Sequence, residues 1–288
     1  MGGAEARPAA YGRRPDDERR RLKDVIEDGA ASMRRLLPMS RGRFERLLAA
    51  ALADAARHGT GFYLGGFAAR RALGRGLVID IDPAVLQRRL DHGVRLGERS
   101  YNIRDKFLGA GDWTPLLRVL RRSSSHREVS EIVAAGFDYR QTPSYQTSLD
   151  RASGDNPVKR NHVVLSSPGK VEAYFRHTAE LCRSIGESGL LRRSDYGTPL
   201  ASLARPSVRL PWIEFGEVDI GVAVGATGEV YRFASGKHRT AAAQVLKIAS
   251  MPVEIRMVHA DWLVRLMEDT GLAPAAALRR GIETLGRG

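Results

Sequence analysis

The sequence has little cysteine, few aromatic residues and no long apolar run. Cys182 is the only cysteine among 288 residues, so the chain cannot form an internal disulfide or a thiolate metal cluster. No stretch approaches the ~18 consecutive apolar residues that a membrane-spanning helix needs. Residues 1–21 lack the apolar segment of a secretory signal. These absences predict a cytoplasmic protein with no membrane span.

Several common catalytic motifs are also missing. The sequence contains no G-x-x-x-x-G-K-[ST] loop, no G-x-G-x-x-G loop and no G-x-S-x-G elbow, which excludes the usual P-loop, Rossmann and α/β-hydrolase arrangements. Its seven histidines show neither H-x-x-x-H nor H-E-x-x-H spacing. No zinc site is therefore predicted.

Negative charge is in short supply. The chain carries 46 Lys and Arg residues against 33 Asp and Glu residues, a formal net charge of +13. Such an excess is typical of proteins that bind polyanions. However, only six of the basic residues are lysines, and the arginines alternate with acids in helical segments such as residues 16–30. The charge alone therefore favours solvated helix faces over a dedicated nucleic-acid patch.

Hydrophobic periodicity divides the chain into segments. Apolar residues recur at helical spacing from residue 16 to about residue 56, and a turn followed by a helix is predicted from Gly109. Residues 139–170 are rich in Pro, Ser, Gly, Asp and Asn and short of apolar runs. The predicted segments are a flexible tail over 1–15, a mostly helical region over 16–140, a loop or linker over 141–169, a mixed domain over 170–270 and a C-terminal tail over 271–288.

The clearest pattern lies in the second half. Residues 170–191 predict an amphipathic helix that ends near Gly189. Residues 217–225 alternate with period two, and residues 229–234 follow after a Gly-containing turn, which predicts a β-hairpin. A glycine turn then opens a helix, residues 251–258 alternate again, and a last helix begins near Asp261. The fold class predicted for this half is α+β.

The turn after the second hairpin strand is the best candidate site. It reads Ser235-Gly236-Lys237-His238-Arg239 and opens a helix. A helix N-terminus presents unpaired N–H groups and the positive end of its dipole. Gly236 permits close backbone approach, Ser235 can cap the helix, and the next three side chains supply donors for an anion such as phosphate. The competing interpretation is a turn whose basic residues are simply solvated.

At these residues the sequence resembles the ParB/sulfiredoxin superfamily. Residues 228–262 follow its order of strand, basic box, Ala-rich helix and a strand beginning Met251-Pro252-Val253, and residues 179–191 resemble its preceding helix. The similarity covers about residues 160–263. Two further strings, Val258–Trp262 and Gly109–Trp113, resemble a branch found beside polysaccharide biosynthesis. The resemblance implies a mixed sheet with packed helices.

The members of this superfamily differ in activity. Sulfiredoxins carry a cysteine where this chain has Lys237, which argues against sulfur chemistry. ParB proteins read DNA with a helix-turn-helix placed after the basic box. We expect no such module in this sequence, because the 20 residues after Glu268 are too few to form one. Small-molecule kinases of this fold hold nucleotide phosphates with a His-Arg pair, which His238 and Arg239 match. Ser235 stands where the kinases usually have an acid, and no motif identifies the catalytic glutamate.

The resemblance thus implies a nucleotide-binding phosphotransferase that acts on a small hydroxyl-bearing or sugar-like acceptor. Its expected cofactor is ATP or another nucleotide, with Mg²⁺, and any nucleic-acid binding should be non-specific. The alternative is a non-catalytic nucleotide- or nucleic-acid-binding regulator of the ParB type. The predicted catalytic residues are His238, Glu217 and Asp219, with Glu214 and Glu229 as further carboxylates nearby. The predicted nucleotide-binding residues are Ser235, Gly236, Lys237, His238, Arg239 and Thr240.

Overall fold

The structure is a computed structural model that describes residues 39–96, 99–154, 156–160, 163–191 and 220–287. The tail predicted over 1–15 and the first part of the helical region, as far as Pro38, lie outside the described residues. Contacts place residues 39–288 in one compact unit.

Eight α-helices occur in the described part of the chain. They are α1 (Arg41–His58), α2 (Gly66–Leu73), α3 (Ser124–Ala134), α4 (Pro143–Asp150), α5 (Pro168–Ser188), α6 (Lys237–Val245), α7 (Ala260–Thr270) and α8 (Pro274–Leu285). Short 3₁₀ turns cover Gly74–Leu77, Pro83–Val85, Thr114–Leu116, Leu120–Arg122 and Tyr139–Gln141. No helix among these is both long and apolar enough to cross a bilayer.

Twelve strands are described. They are β1 (Gly61–Gly65), β2 (Val78–Ile81), β3 (Arg88–Leu90), β4 (Gly93–Leu96), β5 (Arg99–Asn102), β6 (Lys106–Ala110), β7 (Leu117–Val119), β8 (Lys159–Arg160), β9 (Val163–Val164), β10 (Ile220–Val224), β11 (Val230–Phe233) and β12 (Met251–His259). Eight form one mixed sheet in the order β1-β6-β12-β10-β11-β3-β7, with β2 alongside β12. The α+β class with a mixed sheet is thus confirmed.

The two central strands are buried on both faces. All five residues of β10 and all nine of β12 are buried, although their period-two patterns suggested one solvated face. Even the polar positions of β12 lie inside, where Glu254 accepts hydrogen bonds from Arg256 at 3.0 Å and from Arg70 at 2.7 Å. Ion pairing lets charged residues keep an alternating pattern in a strand that is covered on both sides.

The region over 61–119 corrects the prediction of a mostly helical N-terminal half. It supplies seven strands, and the turn after Gly109 leads into a 3₁₀ turn and β7 rather than a helix. These strands have three to five residues each, too short to show a clear period of two. Their partners are distant in sequence: Leu108 of β6 faces Val258 of β12. Long-range pairing therefore decided the structure here.

The segments predicted as a loop and a tail also differ from the structure. Within 141–169, Pro143 opens α4 and the hydroxyl of Thr142 accepts a hydrogen bond from the amide of Tyr145. Tyr145 then packs in a hydrophobic cluster with Phe175. Residues 274–285 form α8, whose Leu278 is fully buried. Thr142 caps α4, a proline stands in the first turn of both α4 and α8, and burial of apolar side chains stabilises both helices.

The predicted elements of the second half occur in the expected order. The hairpin joins β10 and β11 antiparallel, with Val222 facing Arg232. β12 returns parallel to β10, while β3 runs parallel to β11 on its other side. The C-terminal ends of β11 and β3 therefore lie on one side of the sheet, and the C-terminal ends of β10, β12 and β6 lie on the opposite side.

Candidate functional site

The turn between β11 and α6 has an unusual backbone. The N-cap of α6 is Gly236, at φ 83°, and Ala234 also has a positive φ of 68°. A Cβ at Gly236 would lie 2.6 Å from Cγ1 of Ile220, so only glycine fits. As a glycine, the N-cap residue has no side chain to bond the first amides, and the predicted cap, Ser235, lies one residue earlier. A helix N-terminus that opens on a glycine in this conformation is suited to an anion.

Buried positive charge lies beside this turn. Arg232 of β11 is only 6% exposed and pairs in register with Arg89 of β3. Its Nη1 donates to the carbonyl of Ser235 at 3.3 Å, and its Nε has no acceptor among the described residues. Burial, with the charges of Arg89 and Arg104, lowers the pKa of Arg232 to about 10. A guanidinium in this position gains from a negatively charged ligand.

Lys237 adds a second cation to the turn. Burial lowers the pKa of Lys237, the charge of Glu128 opposes that shift, and Arg160, Arg232 and Arg89 reinforce it. Several basic side chains are therefore close enough to destabilise one another electrostatically. Such mutual repulsion is reduced when an anion binds between the cations.

The carboxylates near these cations are already paired. Asp91 lies 3.2 Å from Nη2 of Arg89 and 3.4 Å from Nε of Arg118. Glu128 lies 2.6 Å from Nε of Arg160 and is almost completely buried. Each of these two acids thus has its own arginine, so that among the described residues Arg232 and Lys237 are surplus positive charge at the turn.

His238 belongs to a hydrogen-bonded chain that joins three helices. Its Nε2 lies 2.9 Å from the hydroxyl of Tyr174 on α5. That hydroxyl donates to Oε2 of Glu128 on α3 at 2.8 Å, and Arg160 donates to Oε1 of the same carboxylate at 2.6 Å. The packing of α3, α5 and α6 against one another brings these groups together.

The imidazole of His238 is neutral at physiological pH. Burial lowers its pKa to about 3, and the charges of Lys237, His177 and Arg160 act in the same direction. His238 therefore supplies no positive charge to the turn, although the sequence suggested that it could. Its role must come from hydrogen bonding.

The predicted site residues fall into three groups. Ser235 to Arg239 lie together at the turn and are half-buried. Thr240 is fully buried, so its side chain has no surface for a ligand, contrary to the prediction. Glu217, Asp219 and Glu214 lie outside the described residues.

Sequence reasoning missed the groups contributed by distant elements. Arg232 gave a weak signal, because a charged residue sits among apolar neighbours in β11. The helical pattern of residues 170–191 indicates only an apolar face for Tyr174, yet its hydroxyl makes the contact to His238. Arg89 and Glu128 gave no signal, since arginines and glutamates are frequent throughout this chain.

A cavity of about 330 Å³ lies at the end of β11 that is opposite to the basic turn. It forms where β6, β12 and β10 end, and it joins the two strings Gly109–Trp113 and Val258–Trp262. The Nδ1 atom of His259 accepts a hydrogen bond from the amide of Asp261, and Nε2 lies 2.8 Å from the carbonyl oxygen of Gly111. The buried histidine therefore joins the two strings.

The lining of this cavity is acidic and aromatic. Asp112, Glu229 and Asp261 line it with Trp113 and Tyr231. Although burial alone would raise it, hydrogen bonds from Thr227 and Tyr231 hold the pKa of Glu229 below its usual range. The sequence placed Glu229 among the carboxylates near the basic turn. Glu229 precedes β11 and the turn follows it, so the length of a four-residue strand, at least ~10 Å, separates them.

Another cavity, of about 600 Å³, is lined by the first residues of β3 and β11 and by Thr284 of α8. It too lies away from the turn. Within the described ranges, no group of three or more His, Cys, Asp or Glu side chains is arranged to hold a metal ion.

Comparisons of the chain with protein-family models, with curated proteins and with solved structures find no match.

Proposed function

We propose that the chain is a nucleotide-binding phosphotransferase of the ParB/sulfiredoxin superfamily, acting on a small hydroxyl-bearing or sugar-like acceptor. The observation that carries the proposal is the surplus of buried positive charge at the N-terminus of α6. Arg232 and Lys237 lie there without a carboxylate of their own among the described residues, beside a turn that only Gly236 can adopt. Adjacent phosphates would compensate both charges.

The order of the elements supports the superfamily assignment. The β10–β11 hairpin, the basic turn, α6 and β12 follow one another as the resemblance implies. The alanines of α6 pack in the core, which brings the helix close to the sheet and its N-terminus to the strand end. In this proposal Arg239 binds two phosphate oxygens through its planar guanidinium.

Catalysis also requires a carboxylate that can take the proton of the acceptor. Asp91 and Glu128 are poor candidates because both are ion-paired. We therefore keep Glu217 and Asp219 as the proposed bases. Asp219 comes directly before Ile220 in the sequence and Glu217 three residues before it, and Ile220 lies against Gly236. Mg²⁺ would arrive on the phosphate oxygens of the nucleotide.

Calorimetric titration and thermal shift with ATP, ADP, CTP and GTP, each with and without Mg²⁺, test the binding step. A ligand that binds only the native state raises its melting temperature. Arg239→Ala should weaken nucleotide binding by about 2–3 kcal/mol, the value of a hydrogen bond to a charged group. Arg239→Lys, which keeps the charge but not the planar fork, should weaken it less.

Arg232→Met gives the sharper test. It removes a buried cation that lies among other cations, so the free protein should be as stable as the parent or more stable. Nucleotide affinity should nevertheless fall at least tenfold. Arg280→Gln, on the exposed face of α8, is the matched control and should change neither property. If Arg232→Met and Arg239→Ala bind all four nucleotides as tightly as the parent, the proposed site is wrong.

A second candidate function is nucleotide binding without turnover. It is favoured by the pairing of both described carboxylates near the turn, Asp91 and Glu128, with arginines. Phosphorus NMR of ATP with L-serine, glycerol or glucose separates the two functions. A new phosphate ester indicates a phosphotransferase, whereas tight binding with unchanged ATP indicates a regulator.

A further inference from the structure

The hydrogen bonds that link Arg160, Glu128, Tyr174 and His238 all run in one direction. That direction follows from the number of protons that these groups can donate. Arg160 donates to Glu128, and an ionised carboxylate can only accept. The hydroxyl of Tyr174 has one proton and gives it to Glu128. Toward His238, only the lone pairs of the tyrosine oxygen remain. The 2.9 Å contact to Nε2 is therefore a hydrogen bond that His238 donates.

The tautomer of His238 follows from this direction. Because the imidazole is neutral and Nε2 carries its proton, Nδ1 carries a lone pair. No described residue forms a hydrogen bond with Nδ1. The ring is thus fixed as an acceptor beside the cations of the turn, where a phosphate would be expected to meet donors.

We propose that Glu128 and Tyr174 are positioning residues that hold His238 in the Nε2-protonated tautomer, so that Nδ1 accepts a hydrogen bond from a second O–H or N–H group of the acceptor, beside the hydroxyl that reacts. The second half of this inference rests on the function proposed above. The groups of the site then have separate roles. Arg232, Lys237 and the amides of α6 bind phosphate, and His238 orients the acceptor that carries the nucleophile.

The chemical step leaves His238 unchanged. The acceptor oxygen forms a bond to the γ-phosphorus, and the bond from that phosphorus to the bridging oxygen breaks, with its electron pair staying on the nucleoside diphosphate. The hydroxyl proton passes to the carboxylate of Glu217 or Asp219. His238 is too weak a base for this transfer, since burial, and then the charges of Lys237, His177 and Arg160, lower its pKa to about 3.

Glu128→Gln should reverse the hydrogen bonds of the chain. The amide oxygen must face the donating Arg160, which turns the NH₂ group toward Tyr174. The tyrosine oxygen then accepts from Gln and donates its own proton to Nε2 of His238. This substitution should therefore move the proton of His238 from Nε2 to Nδ1. Tyr174→Phe removes the partner altogether and should give a mixture of tautomers.

Nitrogen-15 NMR of the histidine-labelled full chain reads the tautomer directly, and comparison with His238→Gln assigns the signals. Tyr139→Phe is the matched control, because Tyr139 donates at 2.6 Å to Glu172 and makes no contact with His238. The control should keep the parent spectrum. A parent spectrum with Nδ1 protonated, or an unchanged one in Glu128→Gln and Tyr174→Phe, would refute the positioning role.

Kinetics then test the contact to the acceptor. With ATP and the best of L-serine, glycerol and glucose, both substitutions should lower kcat about tenfold or more through misorientation. The dissociation constant of ATP should stay within about twofold of the parent value. Equal losses of ATP binding and of kcat would overturn the division of work. If the parent turns over none of the acceptors, the proposed function and the contact between Nδ1 and the acceptor both fail, whereas the NMR spectrum still decides the tautomer.

Discussion

His259 and Gly111 lie 148 residues apart in the sequence, yet Nε2 of the histidine donates to the carbonyl oxygen of the glycine at 2.8 Å. The direction is fixed because Nδ1 already accepts the amide proton of Asp261. One buried ring thus satisfies the turn after β6 and the first turn of α7 together. Trp113 packs against it, with 4.8 Å between the ring centroids.

His259→Phe should destabilise the fold without emptying the space that the ring fills. It removes both hydrogen bonds of the ring, whose partners are only partly buried, and each lost bond costs about 0.5–1.5 kcal/mol. Urea unfolding monitored by tryptophan fluorescence measures the change. His58→Gln, at an exposed position in α1, is the control and should shift the unfolding free energy by less than ~0.5 kcal/mol. Equal stability of His259→Phe and the parent would show that the link between the two turns is not important.

Two glycine-to-alanine substitutions should act in opposite directions. Gly236→Ala forces a side chain into a left-handed position against Ile220 and should destabilise the protein by roughly 1–3 kcal/mol. Gly186→Ala lies inside α5, where the new Cβ would meet only Leu246 at 3.8 Å, and should stabilise it by about 0.5–1 kcal/mol. Thermal unfolding compares the two. A neutral Gly236→Ala would mean that the turn is not constrained as described.

Cys182 should be inert in the native protein. It is fully buried, and burial raises the pKa of its thiol to about 12, so almost no thiolate forms at neutral pH. A chromogenic disulfide reagent should label Cys182 only after unfolding. Cys182→Ala should keep any nucleotide binding or phosphotransfer. Rapid labelling of the native chain, or loss of activity at unchanged stability, would indicate a thiol mechanism instead.

The stability of the protein should depend on pH through His238. Its pKa is about 3 in the folded chain, against an ordinary value of 6.5, so the unfolded chain binds more protons between these values. The stabilising contribution is therefore present above about pH 6.5 and is lost as the pH falls toward 3, with a slope of at most ~1.4 kcal/mol per pH unit.

Urea unfolding of the parent and of His238→Gln at pH 7, 6 and 5 isolates this contribution. The pKa values of His92 and His126 are also lowered by burial, and their effects largely cancel when the two proteins are subtracted. The parent should lose stability relative to the variant as the pH falls. A difference that stays constant from pH 7 to pH 5 would show that His238 can be protonated in the fold.

Local sequence patterns predicted much of the secondary structure in the second half of the chain. The apolar spacing in residues 170–191 and the stop at Gly189 predicted α5 to within a few residues. The alternating runs on either side of a Gly-containing turn predicted the β10–β11 hairpin, and the glycine after it predicted the start of α6. These predictions succeed because capping, turns and hydrophobic period depend on neighbouring residues.

The short strands were less predictable. Residues 61–119 show no clear period, because strands of three to five residues are defined by partners such as Val258 and Phe233 rather than by their own pattern. Residues 143–150 form a helix in a stretch rich in turn residues, since Pro143 opens it and the ring of Tyr145 is buried. In both cases burial against distant segments outweighed local preference.

The sequence by itself determined the basic turn at Gly236, because a glycine between a strand and a helix, followed by three basic or donor residues, is a local pattern. The tertiary structure decided what surrounds it. Parallel pairing of β3 with β11 brings Arg89 beside Arg232, and packing of α3 and α5 brings Glu128 and Tyr174 to His238. The direction of the hydrogen bond of His238 depends on Tyr174 and Glu128, which are 64 and more residues away, and its neutral state depends on burial. Burial and proton sharing between distant groups exist only after the chain has folded.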